Sequence, residues 1–161
     1  MPAFTAASAQ RDGAIIENSG STNFSGYAIK VWSDGSTSTT LMRRGGVPLG
    51  SPSMGQIPKD LAQKFLADLQ SAKRGAKIAA QSCTKSASFG STTIATYHGW
   101  TSPDLTCPGD GYVVALGADA GKIAAALQVK DEPYRRIPML PNERRRPEGA
   151  GASPEPAPSA S

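Results

Sequence analysis

The alternation of apolar and polar residues is sharpest between residues 27 and 32. Tyr27, Ile29 and Val31 fall on one face, and Ala28, Lys30 and Trp32 on the other. That two-residue period predicts a strand with one buried side. Asp34-Gly35 follows and suits the positive φ angles of a tight hairpin turn. The threonine-rich residues 37–42 are predicted to pair back as the next strand. Ala14-Ile15-Ile16-Glu17 reads as a short strand ahead of a polar loop at 18–25. Residues 45–55, with their glycines and prolines, read as a second loop.

The period then changes. Leu61, Phe65, Leu69 and Ala72 recur at near-helical spacing, with Lys59, Asp60, Lys64, Asp68 and Lys73 on the remaining positions. Pro58 suits the first helical position and Gly75 the stop. Residues 78–85 read as a strand, 87–91 as a turn and 92–100 as a further strand. A last helix is predicted over 119–129, with Ala120, Ile123, Ala124 and Leu127 on one side and Asp119 as its cap. The order βββα-ββα implies an α+β fold. It is an antiparallel sheet of about five strands with two amphipathic helices packed on one face. The other face can stay wet, consistent with Lys30 and the many threonines.

The length of 161 residues suits a single domain, which the pattern places at residues 14–130. Residues 1–13 are small and polar and are expected to be disordered. Within them, Ala7-Ser8-Ala9-Gln10 has the small-x-small form that signal peptidases cut after, which predicts the remnant of a longer signal peptide. Residues 131–161 hold 7 of the 13 prolines and almost no large apolar residue after Leu140. A stretch of that composition cannot offset the entropy of ordering it, so a disordered tail is expected. Its five arginines and five acidic residues cancel, so the net charge of +4 belongs to the part before it. A charge that modest does not indicate nucleic-acid binding. No run approaches the ~20 apolar residues of a membrane-spanning helix.

Cys83 and Cys107 are the two cysteines, and His98 is the one histidine. A zinc site would need two further ligands, and no obvious set supplies them. A redox Cys-x-x-Cys is absent. An even count of cysteines in an exported protein tends to pair. A Cys83–Cys107 disulfide is therefore expected, and with it a secreted or periplasmic location.

The densest chemistry lies in Tyr97-His98-Gly99-Trp100-Thr101-Ser102-Pro103-Asp104. A hydrolase reading makes His98 a general base oriented by Asp104, with Ser102 nearby. Ser102 lacks the Gly-x-Ser-x-Gly elbow that exposes a nucleophile on a sharp turn. The structural alternative has Trp100 packed, Ser102-Pro103-Asp104 in a turn and His98 on a strand face. Gly45-Gly46 and Gly109 to Gly111 resemble phosphate loops in composition only, because the lysine and helix start of a P-loop are missing. Glu17 is the one glutamate before residue 131, which leaves glycoside chemistry and carboxylate-rich metal sites poorly supported. No catalytic residue, cofactor or metal is assigned.

Asn18-Ser19-Gly20, Ser25-Gly26, the strand to Val31 and Asp34-Gly35 together resemble the opening of the emfourins, a bacterial family of protealysin inhibitors. Those proteins show a Ser-Gly-Gly loop, a glycine before a strand and an Asp-Gly hairpin. A leucine-rich helix follows, as at residues 61–69 here. Ser21 stands where the family has its second glycine, and the cysteine pair is not part of the pattern. The resemblance implies an α+β fold and a proteinaceous inhibitor of thermolysin-like metallopeptidases, with a peptidase as protein partner. The expected function is thus a non-enzymatic exported binding domain. Asn18, Ser19, Gly20, His98 and Trp100 are its candidate binding residues, and 18–25 and 45–55 its candidate loops. The alternatives are a surface or envelope interaction module and a small hydrolase using His98.

Overall fold

Strand β1 (Gly13–Asn18) buries Ala14 and Ile16 on one face and leaves Glu17 exposed on the other. The computed structural model describes residues 11–43, 45–75, 83–85, 90–107 and 109–129. Strand β2 (Gly26–Trp32) runs antiparallel to β1, pairing Ile16 with Ile29 and Ala14 with Val31. Tyr27, Ile29 and Val31 all face the core, as the alternation predicts. Gly35 takes φ +86 in the hairpin turn and donates its N–H to Trp32 O. A side chain there would be strained, and its Cβ would press on Ile57 O at 2.5 Å.

Strand β3 (Ser36–Arg43) pairs back onto β2. Here the expected wet threonines divide. Thr37 and Thr39 stand opposite Val31 and Ile29 and are buried in the core face. The Thr37 Oγ1 has no hydrogen-bond partner. A buried, unsatisfied hydroxyl costs free energy that an isosteric methyl does not. Thr37→Val is therefore expected to raise the unfolding free energy by about 1 kcal/mol, read from the urea midpoint at constant slope.

Residues 45–55, predicted as a loop, are instead an interrupted edge. Strand β4 (Val47–Pro48) pairs with Met42 and Arg43, and strand β5 (Ser53–Gln56) pairs with residues 36–39 of β3. Pro48 is compatible with such an edge because it has no N–H to leave unpaired.

Helix α1 (Lys59–Gly75) has Asp60 in its first turn and Lys73 and Arg74 in its last, as the helix dipole favours. It buries Ala62, Phe65, Leu66, Leu69 and Ala72. Of the strand predicted over 78–85, only 83–85 are described, and none of these lies in a strand. The strand predicted over 92–100 is a short hairpin, β6 (Thr93–Tyr97) and β7 (Trp100–Thr101). His98 and Gly99 form its two-residue turn, both at positive φ (46° and 76°), the geometry that matches strand twist.

The last helix, α2 (Gly111–Ala126), begins eight residues before its predicted start. Asp110 is the real cap, accepting from Tyr112 N and Val113 N. Gly111, Val113, Val114 and Gly117 are weak helix formers, so local propensity hid the first two turns. Burial of Val113 and Leu116 against the core overrides it. Asp119 lies mid-helix with its side chain buried.

The sheet order is β4-β3-β2-β1-β6-β7, with β5 also on β3. Both helices contribute to one core with the inner faces of β1, β2 and β6. The fold is the expected α+β class, with more strands than the five foreseen. The expectations for residues 1–10 and 130–161 lie outside the described residues. Among those described, no helix is long and apolar enough to cross a membrane.

Candidate functional site

Among the described residues, neither Ser102 nor Asp104 is hydrogen-bonded to His98. His98 projects from the β6–β7 turn with its side chain half exposed, and its Nε2 lies 2.9 Å from Asp12 Oδ1. Tyr97 donates its hydroxyl to the same carboxylate at 3.3 Å. Burial, and then the charge of Asp12, push the Tyr97 hydroxyl above its ordinary range. Lys73 Nζ holds the other side of the turn through His98 O. Asp12, not Asp104, is thus the carboxylate beside the imidazole.

Ser102 and Asp104 serve the backbone. Ser102 Oγ accepts from Ala95 N at 2.9 Å, and Ser102 N donates to Ala95 O at 2.8 Å. Asp104 Oδ1 accepts from Thr93 N at 3.1 Å, and Leu105 N donates to Thr93 O at 2.7 Å. The outer edge of β6 is therefore plugged by residues 102–105. Two side-chain oxygens stand in for the carbonyls that a neighbouring strand would offer. Asp104 also accepts from Thr106 N, Thr106 Oγ1 and Lys85 Nζ. Burial works to raise its pKa, but these bonds together outweigh it and hold the carboxyl below its ordinary range. Cys83 and Cys107 are joined in the expected disulfide, 24 positions apart in sequence, which anchors residues 83–85 over the plug.

Asn18, Ser19 and Gly20 are bound into the other end of the sheet. Asn18 Oδ1 accepts from Gly20 N, and its Nδ2 donates to Ser91 Oγ and Thr93 Oγ1. Ser19 N donates to Thr92 O and Ser19 Oγ accepts from Thr92 N, both at 2.9 Å. Gly20 takes φ +66, and a Cβ there would meet Gly26 N at 2.5 Å, so only glycine fits the chain crossing.

These bonds place residues 18–21 along one wall of a cleft of about 580 Å³. The turn at Gly45 and Gly46 forms a second wall, and Ser91 and Thr92 a third. Glu17, Arg43 and Lys85 supply its charges, and Met42 and Ile94 its apolar floor. The start of each candidate loop, residues 18–21 and Gly45-Gly46, therefore reaches this opening, while Leu49 to Gly55 line a separate groove. His98 and Trp100 do not join them. They lie beyond the opposite end of β1, roughly 16 Å away at ~3.3 Å per residue. Trp100 is half-buried against the core. The cleft's charged residues carried no local sequence signal, because β3 pairing and the disulfide bring them together from positions 17, 43 and 85.

A second polar cluster joins the helices. Lys64 Nζ lies 2.6 Å from Asp68 Oδ2 and 3.1 Å from Asp119 Oδ1, and the Asp119 side chain is 1% exposed. Burial, and then the hydrogen bond with Asp68, push the Asp119 carboxyl up to about 6. The same bond holds Asp68 below its ordinary range. Asp119 thus binds a proton more readily folded than unfolded, and its effect on stability worsens as the pH rises from 3.8 through about 6. Asp68 acts in the opposite direction, its contribution fading as the pH falls below 3.8. Asp119→Asn is expected to gain stability relative to the parent as the pH rises from 3.8 to about 6, the span between the ordinary and the raised value, and to keep that gain above it. Parallel urea curves that keep a constant gap over that range would contradict this.

Comparison of the chain with protein-family models, curated proteins and solved structures finds no match. The geometry alone therefore bears on function.

Proposed function

We propose that the chain is a non-enzymatic exported binding domain that inhibits a thermolysin-like metallopeptidase through the cleft end of its sheet. The observation that carries this reading is the meeting of residues 18–21, from loop 18–25, with the Gly45-Gly46 turn at one opening. Inhibitors that act by insertion need loops held stiffly, because ordering a loop on binding subtracts from affinity. Loop 18–25 is held by the Asn18 and Ser19 bonds, and the neighbouring residues 83–85 by the disulfide. Gly45, Gly46 and Val47 stand exposed at the rim. The residues of the hydrolase alternative point the other way, since Ser102 and Asp104 are consumed in the edge plug.

The experiment is a titration of a thermolysin-like peptidase with the purified full chain. Dose-dependent inhibition is expected, and Arg43→Glu should weaken it while His98→Ala leaves it unchanged. No inhibition at micromolar concentration would sink the peptidase reading.

A further inference from the structure

The two margins of the sheet are treated differently. One is closed by the plug on β6 and ends in the two-residue β7. On the other, Ile57 N donates to Gly35 O at 2.9 Å, which fixes the alternation of the β3–β5 ladder. Ser53 and Gly55 then bond to β3, and the N–H and C=O of Met54 and Gln56 point outward. No backbone partner takes them among the described residues.

Native edges are ordinarily guarded by charge, above all by lysine. Residues 45–58 carry no charged side chain at all. Met54 is 72% exposed and Val47 57%. A groove of about 540 Å³ lies alongside, lined by Leu41, Leu49, Leu127 and Val129. Among the described residues this is an edge with unpaired bonding groups, apolar flanks and no charged guard.

We propose that β5 pairs antiparallel with β5 of a second copy across a two-fold axis, joining two sheets into one. The two-fold axis would pass beside Gly55, so that Met54 exchanges both backbone bonds with Gln56 of the partner subunit and the reverse pair does the same. Three observations favour a second copy as the occupant. An uncharged strand meets its own duplicate without the repulsion that the chain's net +4 brings to charged surfaces. A two-fold contact requires one surface to complement itself, and alternating outward groups at Met54 and Gln56 do so. The opposite margin is plugged, so pairing stops at two and does not propagate into fibres. The interface lies at the 36–39 end of β3, away from the cleft beside Met42 and Arg43. Its success or failure is therefore separate from that of the inhibitor reading.

The test is light scattering of the full chain over a concentration series, with amide hydrogen exchange. A dimer is expected, with slowed exchange at Met54 and Gln56. Met54→Lys places a charge in the pairing. Met54→Pro removes an N–H that β3 does not use. Both should raise the dissociation constant at least tenfold while leaving circular dichroism and the urea midpoint in place. A wild type that stays monomeric at ~100 μM, weaker than any specific dimer worth the name, would overturn the proposal. So would a dimer that survives both substitutions. A monomer with a protected Met54 amide would place another segment of the same chain on the edge, and overturns it too.

Discussion

Replacing Cys83 and Cys107 together by alanine is expected to lower the unfolding free energy by about 3–4 kcal/mol. The bridge closes a loop spanning 24 positions, and closing a loop of that size removes about that much chain entropy from the unfolded state. A domain of this size has only about 5–15 kcal/mol in total, so the double variant should lose a large share of its stability. The loss has a local component as well. The bridge holds residues 83–85 against the plug, where Lys85 reaches Asp104 and Ser91 O. Amides of β6 should exchange faster in the variant than those of β2. The measurement is urea unfolding of parent and variant with and without reductant. Reductant should lower the parent to the variant's level and leave the variant unmoved. A parent indifferent to complete reduction would contradict the account.

Asp104→Ala should cost about 3 kcal/mol, more than His98→Ala. One carboxylate accepts from Thr93 N, Thr106 N, Thr106 Oγ1 and Lys85 Nζ. Bonds to a charged group contribute roughly 1.5–3 kcal/mol each when isolated, but a shared acceptor makes them strongly non-additive. Truncation also leaves the Thr93 N–H and the half-buried Lys85 ammonium without that partner. The pH dependence has a definite sign. The folded pKa lies below the unfolded value, so the contribution is present above pH 3.8 and is lost as the pH falls through the folded pKa. The gap between parent and Asp104→Ala should therefore narrow in acid. His98→Ala, by contrast, removes an exposed side chain from a turn whose backbone is held by Lys73. A His98→Ala loss as large as that of Asp104→Ala would reverse the assignment of roles.

These two sites show where the sequence was legible. Tyr27, Ile29 and Val31 announced their strand by period, and Phe65 and Leu69 their helix, because burial on one face imprints a repeat. The cysteine pair was readable because few other fates suit two thiols with no metal partners. Strands β4 and β5 imprinted nothing: their residues are mostly exposed and take strand geometry from β3. The first half of α2 was masked by glycine and β-branched residues that only tertiary packing makes helical. Ser102 and Asp104 looked like chemistry because hydroxyl and carboxylate are the same atoms that mimic a strand's carbonyls. The cleft was half visible. Asn18, Ser19 and Gly20 marked one wall, while Glu17, Arg43 and Lys85 meet only after three distant segments fold.

The bridge also decides how the chain would respond to tension. Helix α2 starts four residues after Cys107 and ends at Ala126. A pull on the chain beyond Val129 would peel α2 from α1 first, since few backbone bonds tie it to the sheet. At Cys107 force would then pass across the sulfurs to Cys83 and bypass β6, β7 and the plug. Under load the domain would thus lengthen by one helix, after which the bridge would shield β6, β7 and the plug while the segment ahead of Cys83 takes the force.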